Sequence, residues 1–157
     1  MGSGKTSIGR RVAHGLHLPF VDTDRVIVRD HGPIPQIFAQ HGEPGFRVLE
    51  REAVTRALEG GGVVSLGGGA VLDPSTRTAL ADHRVVYLTV SADAVAGRIR
   101  GGNRPLVAKD DPVAAWRGIF DERRALYEQV ADVTFDTSAG PIAKVATAVL
   151  DWLREDR

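Results

Sequence analysis

The first five residues after the initiator carry a chemical signal. Gly2-Ser3-Gly4-Lys5-Thr6 opens the chain and runs directly into a helical pattern. Glycines let backbone N–H groups curl around phosphate oxygens, and a helix N-terminus adds a favourable dipole. A full phosphate loop reads Gly, any four residues, then Gly-Lys-Ser/Thr. The second half of that pattern is present here, and its first glycine would precede Met1. In such a loop Lys5 reaches the β- and γ-phosphates and Thr6 offers its hydroxyl to Mg²⁺. Taken alone, the same five residues also read as a flexible tail.

Four further groups have the types and spacing that an acceptor site needs. Asp22 and Asp24 stand two residues apart just beyond a short apolar run, where they read either as a functional pair or as a helix cap and a solvated acid. Arg47 follows Gly45-Phe46 near a helix start, where a cation gains nothing from the helix dipole, so an anionic ligand would explain it. Glu50 lies one turn on and could orient Arg47 or form an ordinary ion pair with it. Gly67-Gly68-Gly69 follows a strand at once, leaving backbone N–H groups open to a close oxygen. Arg123 precedes Tyr127 by four residues, so the two share a helix face.

The elements that must position these residues alternate. Helical spacing predicts helices over 6–16, 24–30, 34–41, 46–59, 74–81, 112–130 and 141–153, and one capped by Ser91 running to Ile99. Apolar runs predict strands over 18–21, 63–66, 84–90 and 133–135. Such alternation implies parallel pairing through right-handed crossovers, hence an α/β fold with one central sheet. In such sheets ligands bind beyond the carboxyl ends of the strands, where Asp22, Asp24 and the three glycines fall.

Composition narrows the class. A length of 157 residues fits one domain, 1–157. Twenty basic residues balance twenty acidic ones, so nothing favours nucleic acid or an anionic membrane as partner. Cysteine is absent, which excludes disulfides, thiolate zinc sites and cysteine nucleophiles. His14, His17, His31, His41 and His83 lack metal-ligand spacing. With no apolar run near the ~20 residues that span a bilayer and no signal-peptide pattern, a cytoplasmic enzyme, expected to be monomeric, is the default.

The order and spacing of six motifs resemble the shikimate kinase family over nearly the whole chain: Gly-Ser-Gly-Lys-Thr-Ser-Ile-Gly-Arg at 2–10, Asp-Thr-Asp at 22–24, Gly-Glu-Pro-Gly-Phe-Arg-Val-Leu-Glu at 42–50, Gly-Gly-Gly-Ala at 67–70, Asn-Arg-Pro-Leu at 103–106 and Arg-Arg-Ala-Leu-Tyr at 123–127. The resemblance implies a three-layer P-loop kinase fold and transfer of the ATP γ-phosphoryl group to the 3-hydroxyl of shikimate. It implies nucleotide contacts from Gly2, Ser3, Gly4, Lys5, Thr6, Ser7 and Arg104, with Mg²⁺ held by Thr6 and, through water, Asp22. It makes Asp24 the residue that binds the acceptor hydroxyls and the candidate general base, so that Lys5, Asp24 and Arg104 form the catalytic set. Phe46, Arg47, Gly67, Gly68, Gly69 and Arg123 would complete the shikimate site, with Arg124 as the alternative to Arg123. The substrate region spans about 24–60, residues 101–111 form a lid bearing Arg104, and Arg98 or Arg100 lies near the adenine. Another small-metabolite kinase, such as a gluconate kinase, or a non-catalytic nucleotide-binding relative is the competing expectation.

A phosphate loop hangs from the strand before it, and that first strand is expected upstream of Met1. Roughly five buried apolar residues would contribute on the order of 10 kcal/mol, which rivals the net stability of a domain. The natural protein is therefore expected to carry further residues ahead of Met1. Its intact mass should exceed that of residues 1–157, and a mass equal to these residues alone would refute the expectation.

Overall fold

The computed structural model describes residues 2–99 and 111–155. Helix α1 (Lys5–Leu16) buries Ile8, Val12 and Ala13 on one face and stops at His17, whose φ of 55° is left-handed. Strand β1 (Phe20–Asp22) leads straight into α2 (Thr23–His31), because the Asp22 carboxylate accepts the N–H groups of Asp24 and Arg25 and so caps the helix.

The two helices expected over 34–41 and 46–59 are joined as one kinked element, α3 (Ile34–Glu59). The break falls at Gly42, with φ 66° and ψ −179°, a conformation open to glycine and to few other residues. Pro44 sits in the first turn after the break, where a missing N–H costs no intrahelical bond. Strand β2 (Val63–Ser65) is followed by the glycine loop and a 3-10 turn, Ala70–Leu72, that periodicity did not reveal. The chain continues as α4 (Pro74–Leu80), β3 (Val86–Thr89), α5 (Ala92–Ile99), α6 (Pro112–Val130), β4 (Val133–Asp136) and α7 (Ile142–Glu155).

All described strand pairs are parallel, as the alternation implies, yet they form two separate two-stranded sheets rather than one. In the first, Phe20 pairs with Val63 and Asp22 with Ser65; in the second, Val86 pairs with Val133 and Thr89 with Asp136. Neither β2 nor β3 has a further strand partner among the described residues. Between them lies a cavity of about 400 Å³ with a mostly apolar lining that includes Ile8, Val12, Val63, Val64, Val86 and Leu88.

Three apolar clusters hold the elements. Ile8 and Val12 of α1 pack on Ala146 and Val149 of α7; Ile27, Ile37, Phe46 and Ala53 fasten α2 to α3; and Val90, Val95 and Trp116 join α5 to α6. No described helix is long and apolar enough to cross a membrane.

Asp73 caps α4 as its position ahead of Pro74 suggests, accepting from the amides of Ser75 and Thr76 and pairing with Arg51 at 3.1 Å. The Ser75 hydroxyl, the Thr76 amide, Arg51 and the Ser75 amide outweigh partial burial and hold its carboxyl at about 2. A depressed carboxyl contributes stability that is complete above the ordinary carboxylate range and fades as pH falls toward the folded value. Asp73→Ala should therefore cost about 1 kcal/mol near neutrality. In urea unfolding the gap to the parent protein should narrow as pH falls from about 5 to about 2.

Candidate active site

The register of β1 and β2 sets Asp22 beside Ser65, so the chain segments leaving the two strands emerge side by side. Thr23, fully buried, stitches them: its hydroxyl donates to the Ser65 carbonyl at 3.3 Å and accepts the Gly67 N–H at 3.2 Å. A cleft of about 530 Å³ opens over these strand ends, and its lining includes Lys5, Thr6, Asp22, Asp24, Arg47 and Arg123.

One side of the cleft is the start of α1. Gly4, with φ 79°, caps the helix and its carbonyl accepts the Ile8 N–H at 3.0 Å. The first-turn N–H groups of a helix have no carbonyl one turn back, which suits an anion. Ser3 is buried and, like Lys5, reaches the cavity between the sheets, whereas the Ser7 residue is exposed.

Asp22 serves three donors with its two oxygens. Oδ1 accepts the Asp24 and Arg25 amides, while Oδ2 accepts the Thr6 hydroxyl at 2.7 Å. The cap and the cleft acid are thus the same residue. A hydroxyl beside a carboxylate is a pair of hard oxygen donors, the set that Mg²⁺ takes when phosphates and water fill its remaining positions. Among the described residues no group of three His, Asp or Glu side chains is arranged to hold a metal by itself.

The other side is built around a buried acid. Glu50 is 3% exposed, and its carboxylate meets the Arg47 guanidinium at 2.5 Å. Arg47 also pairs with Glu43 at 2.9 Å. Burial pushes the Glu50 carboxyl up; Arg47 and Arg123 oppose this, while Asp24 adds to it. Burial works against the Arg47 charge, but Glu50 and Glu43 prevail and leave its pKa raised. Arg47 and Arg123 each retain a buried Nε–H with no acceptor among the described residues. Buried donors of this kind are uncommon and ask for a partner.

Two of the three glycines are needed here for clearance. A Cβ on Gly67 would stand 2.7 Å from both the Asp24 and Glu50 carboxylates, and one on Gly69 would overlap the Arg47 guanidinium. The Gly67 N–H is given to Thr23. Phe46 is 5% exposed, lines the cleft and packs on Phe38 with ring centroids 4.9 Å apart. Of the two neighbouring arginines, Arg123 is buried and lines the cleft, whereas Arg124 is exposed and paired with Glu128 at 2.7 Å. Arg104, Arg100 and the expected lid up to residue 110 lie outside the described residues, as does the Arg98 side chain. Sequence reasoning missed Thr23, whose place between two acids hid a wholly buried hydroxyl, and the partner of the Tyr127 hydroxyl, the Gly68 carbonyl at 2.5 Å.

The sequence model of the family described as shikimate kinase matches residues 1–154. A shikimate kinase of Mycobacterium avium is 49% identical over 87% of this chain and 80% of its own length. One from Corynebacterium jeikeium is 44% identical over 99% of this chain and 85% of its own. The solved structure of the shikimate kinase from Acinetobacter baumannii in complex with shikimate superposes with a TM-score of 0.93 at 33% identity, covering 100% of this chain and 90% of the other. The Bacteroides thetaiotaomicron shikimate kinase superposes with a TM-score of 0.85 at 28% identity, covering 98% and 94%.

Removing one member of a buried charge pair strands the other. Glu50→Ala should therefore destabilise the protein by about 3 kcal/mol in urea unfolding. Glu50→Gln, which keeps the volume and a hydrogen-bonding oxygen, should recover part of that loss. A cost for Glu50→Ala below about 1 kcal/mol would show that the two arginines are held by other groups.

Proposed function

The chain belongs to the shikimate kinase family, and on that premise we propose that this cleft transfers the γ-phosphoryl group of ATP to the 3-hydroxyl of shikimate. The observation that carries the reading is that Arg47 and Arg123 line one cleft together with Lys5 and Thr6 of the glycine-capped start of α1. Two guanidinium groups suit the carboxylate of an acid acceptor, and the helix start suits the polyphosphate of the donor.

Each residue then has a task. Lys5 and the first turn of α1 hold the β- and γ-phosphates. Thr6 and Asp22 would hold Mg²⁺, which supplies neutralisation of phosphate charge when bound. Asp24 orients the attacking hydroxyl and accepts its proton as the new O–P bond forms and the bond from the γ-phosphorus to the β-bridging oxygen breaks, leaving ADP. Arg47 and Arg123 fix the far end of the acceptor, so the hydroxyl meets phosphorus in line. Glu50 holds the Arg47 guanidinium and attracts that of Arg123. Arg104 would add, by the family resemblance, a cation that balances charge on the transferring group.

An assay coupled to ADP release, run on a panel of shikimate, gluconate and nucleosides, should give turnover with shikimate alone. Arg47→Ala removes a charge-assisted contact of about 2 kcal/mol, so the shikimate KM should rise roughly thirtyfold while the ATP KM changes less than about threefold. Equal changes in both constants would remove Arg47 from the acceptor site.

A further inference from the structure

We propose that the Tyr127 hydroxyl is a positioning group that fixes the Gly68–Gly69 peptide in the orientation an acceptor needs. The inference rests on the reading of the cleft as a shikimate site and adds a residue to it.

The peptide joining Gly68 and Gly69 lies between two residues that lack a Cβ, and glycine reaches φ above and below zero with similar ease. Rotation of that peptide is therefore cheap. Rotation also matters chemically, because it exchanges a donor for an acceptor on the surface facing the cleft. In a trans peptide the carbonyl and the following N–H point in opposite directions. Whatever holds the Gly68 carbonyl thus sets the direction of the Gly69 N–H.

The neighbouring groups are pinned by other contacts. The Gly67 N–H goes to Thr23, and the carbonyls of Gly67 and Gly69 accept the Ala70 and Leu72 amides at 3.1 and 3.0 Å. The Gly68 carbonyl accepts the Tyr127 hydroxyl, which comes from a helix 59 residues further along the chain. The phenol is itself well held. Its ring packs on Tyr87 with centroids 5.2 Å apart, and burial raises its pKa although the adjacent Arg123 guanidinium pulls the other way. It therefore remains a proton donor at neutral pH. Because Arg123 and Tyr127 share one face of α6, a single helix supplies both the cleft arginine and the clamp on the loop opposite it. With the carbonyl drawn to α6, the Gly69 N–H points away from that helix, at a residue that lines the cleft and abuts Arg47.

Tyr127→Phe tests this, with Tyr87→Phe as the matched control. Tyr87 loses an equivalent hydroxyl from the same ring pair, but that hydroxyl has no partner among the described residues. Tyr127→Phe should raise the shikimate KM about tenfold and leave the ATP KM within about twofold, the loss expected for one hydrogen bond. It should also speed amide hydrogen exchange at Ala70 and Leu72 by a similar factor, about tenfold. Tyr87→Phe should do neither. Equal rises in both KM values, or exchange unchanged from the parent protein, would overturn the proposal. The exchange measurement judges the clamp even if the parent protein gives no turnover with shikimate, an outcome that would overturn only the assignment of substrate.

Discussion

The arrangement depends on the parallel pairing of two three-residue strands. β1 and β2 are short, yet their register sets Asp22 opposite Ser65, and everything that follows either strand emerges at one place. The Asp22–Asp24 pair comes off the first strand and the glycine loop off the second. A single buried threonine hydroxyl then ties the two exits together. A shift by one residue would turn alternate side chains to the opposite face and separate the acids from the loop they press against. The site is thus a consequence of sheet register before it is a set of catalytic side chains.

The charges around the cleft are organised by opposition. Glu50 alone in that environment would be driven toward its neutral form, and Arg47 alone would bear the full cost of burial. Together they reach a compromise in which Arg47 keeps its charge and Glu43 steadies its outer nitrogen. Asp24 sits close enough to Glu50 to push its carboxyl further up. The glycines belong to the same balance: carboxylates and guanidinium lie so near the loop that a single methyl group at position 67 or 69 would displace them. Here charge placement and glycine clearance are one steric problem.

Much of this was legible in the sequence. The strands were located to within two or three residues at each end, because Val-Val-Tyr-Leu-Thr-Val and its like are hard to place elsewhere. Asp73 ahead of Pro74 announced its helix start. Lys5, Asp22, Asp24, Arg47, the three glycines and Arg123 were picked out by type, spacing and the family resemblance, and the structure brings them to one cleft. What was not legible depends on three dimensions. The break between the helices over 34–41 and 46–59 was legible, and only its abruptness, with the two meeting at Gly42, was not. The commitment of the Gly67 N–H to Thr23 and the burial of Phe46 depend on partners more than forty residues away or on another helix, beyond the reach of local periodicity.

The divided duty of Asp22 has a consequence for how the two halves of the cleft communicate. One oxygen is tied to the backbone at the start of α2, the helix that carries Asp24; the other is engaged, among the described residues, by the Thr6 hydroxyl. A cation arriving with a nucleotide would compete for the second oxygen and leave the first alone. Helix α2 would then stay wound and Asp24 would keep its place whether or not the nucleotide half is filled. On the proposed reading, the place of Asp24 is therefore set by the fold before either ligand arrives.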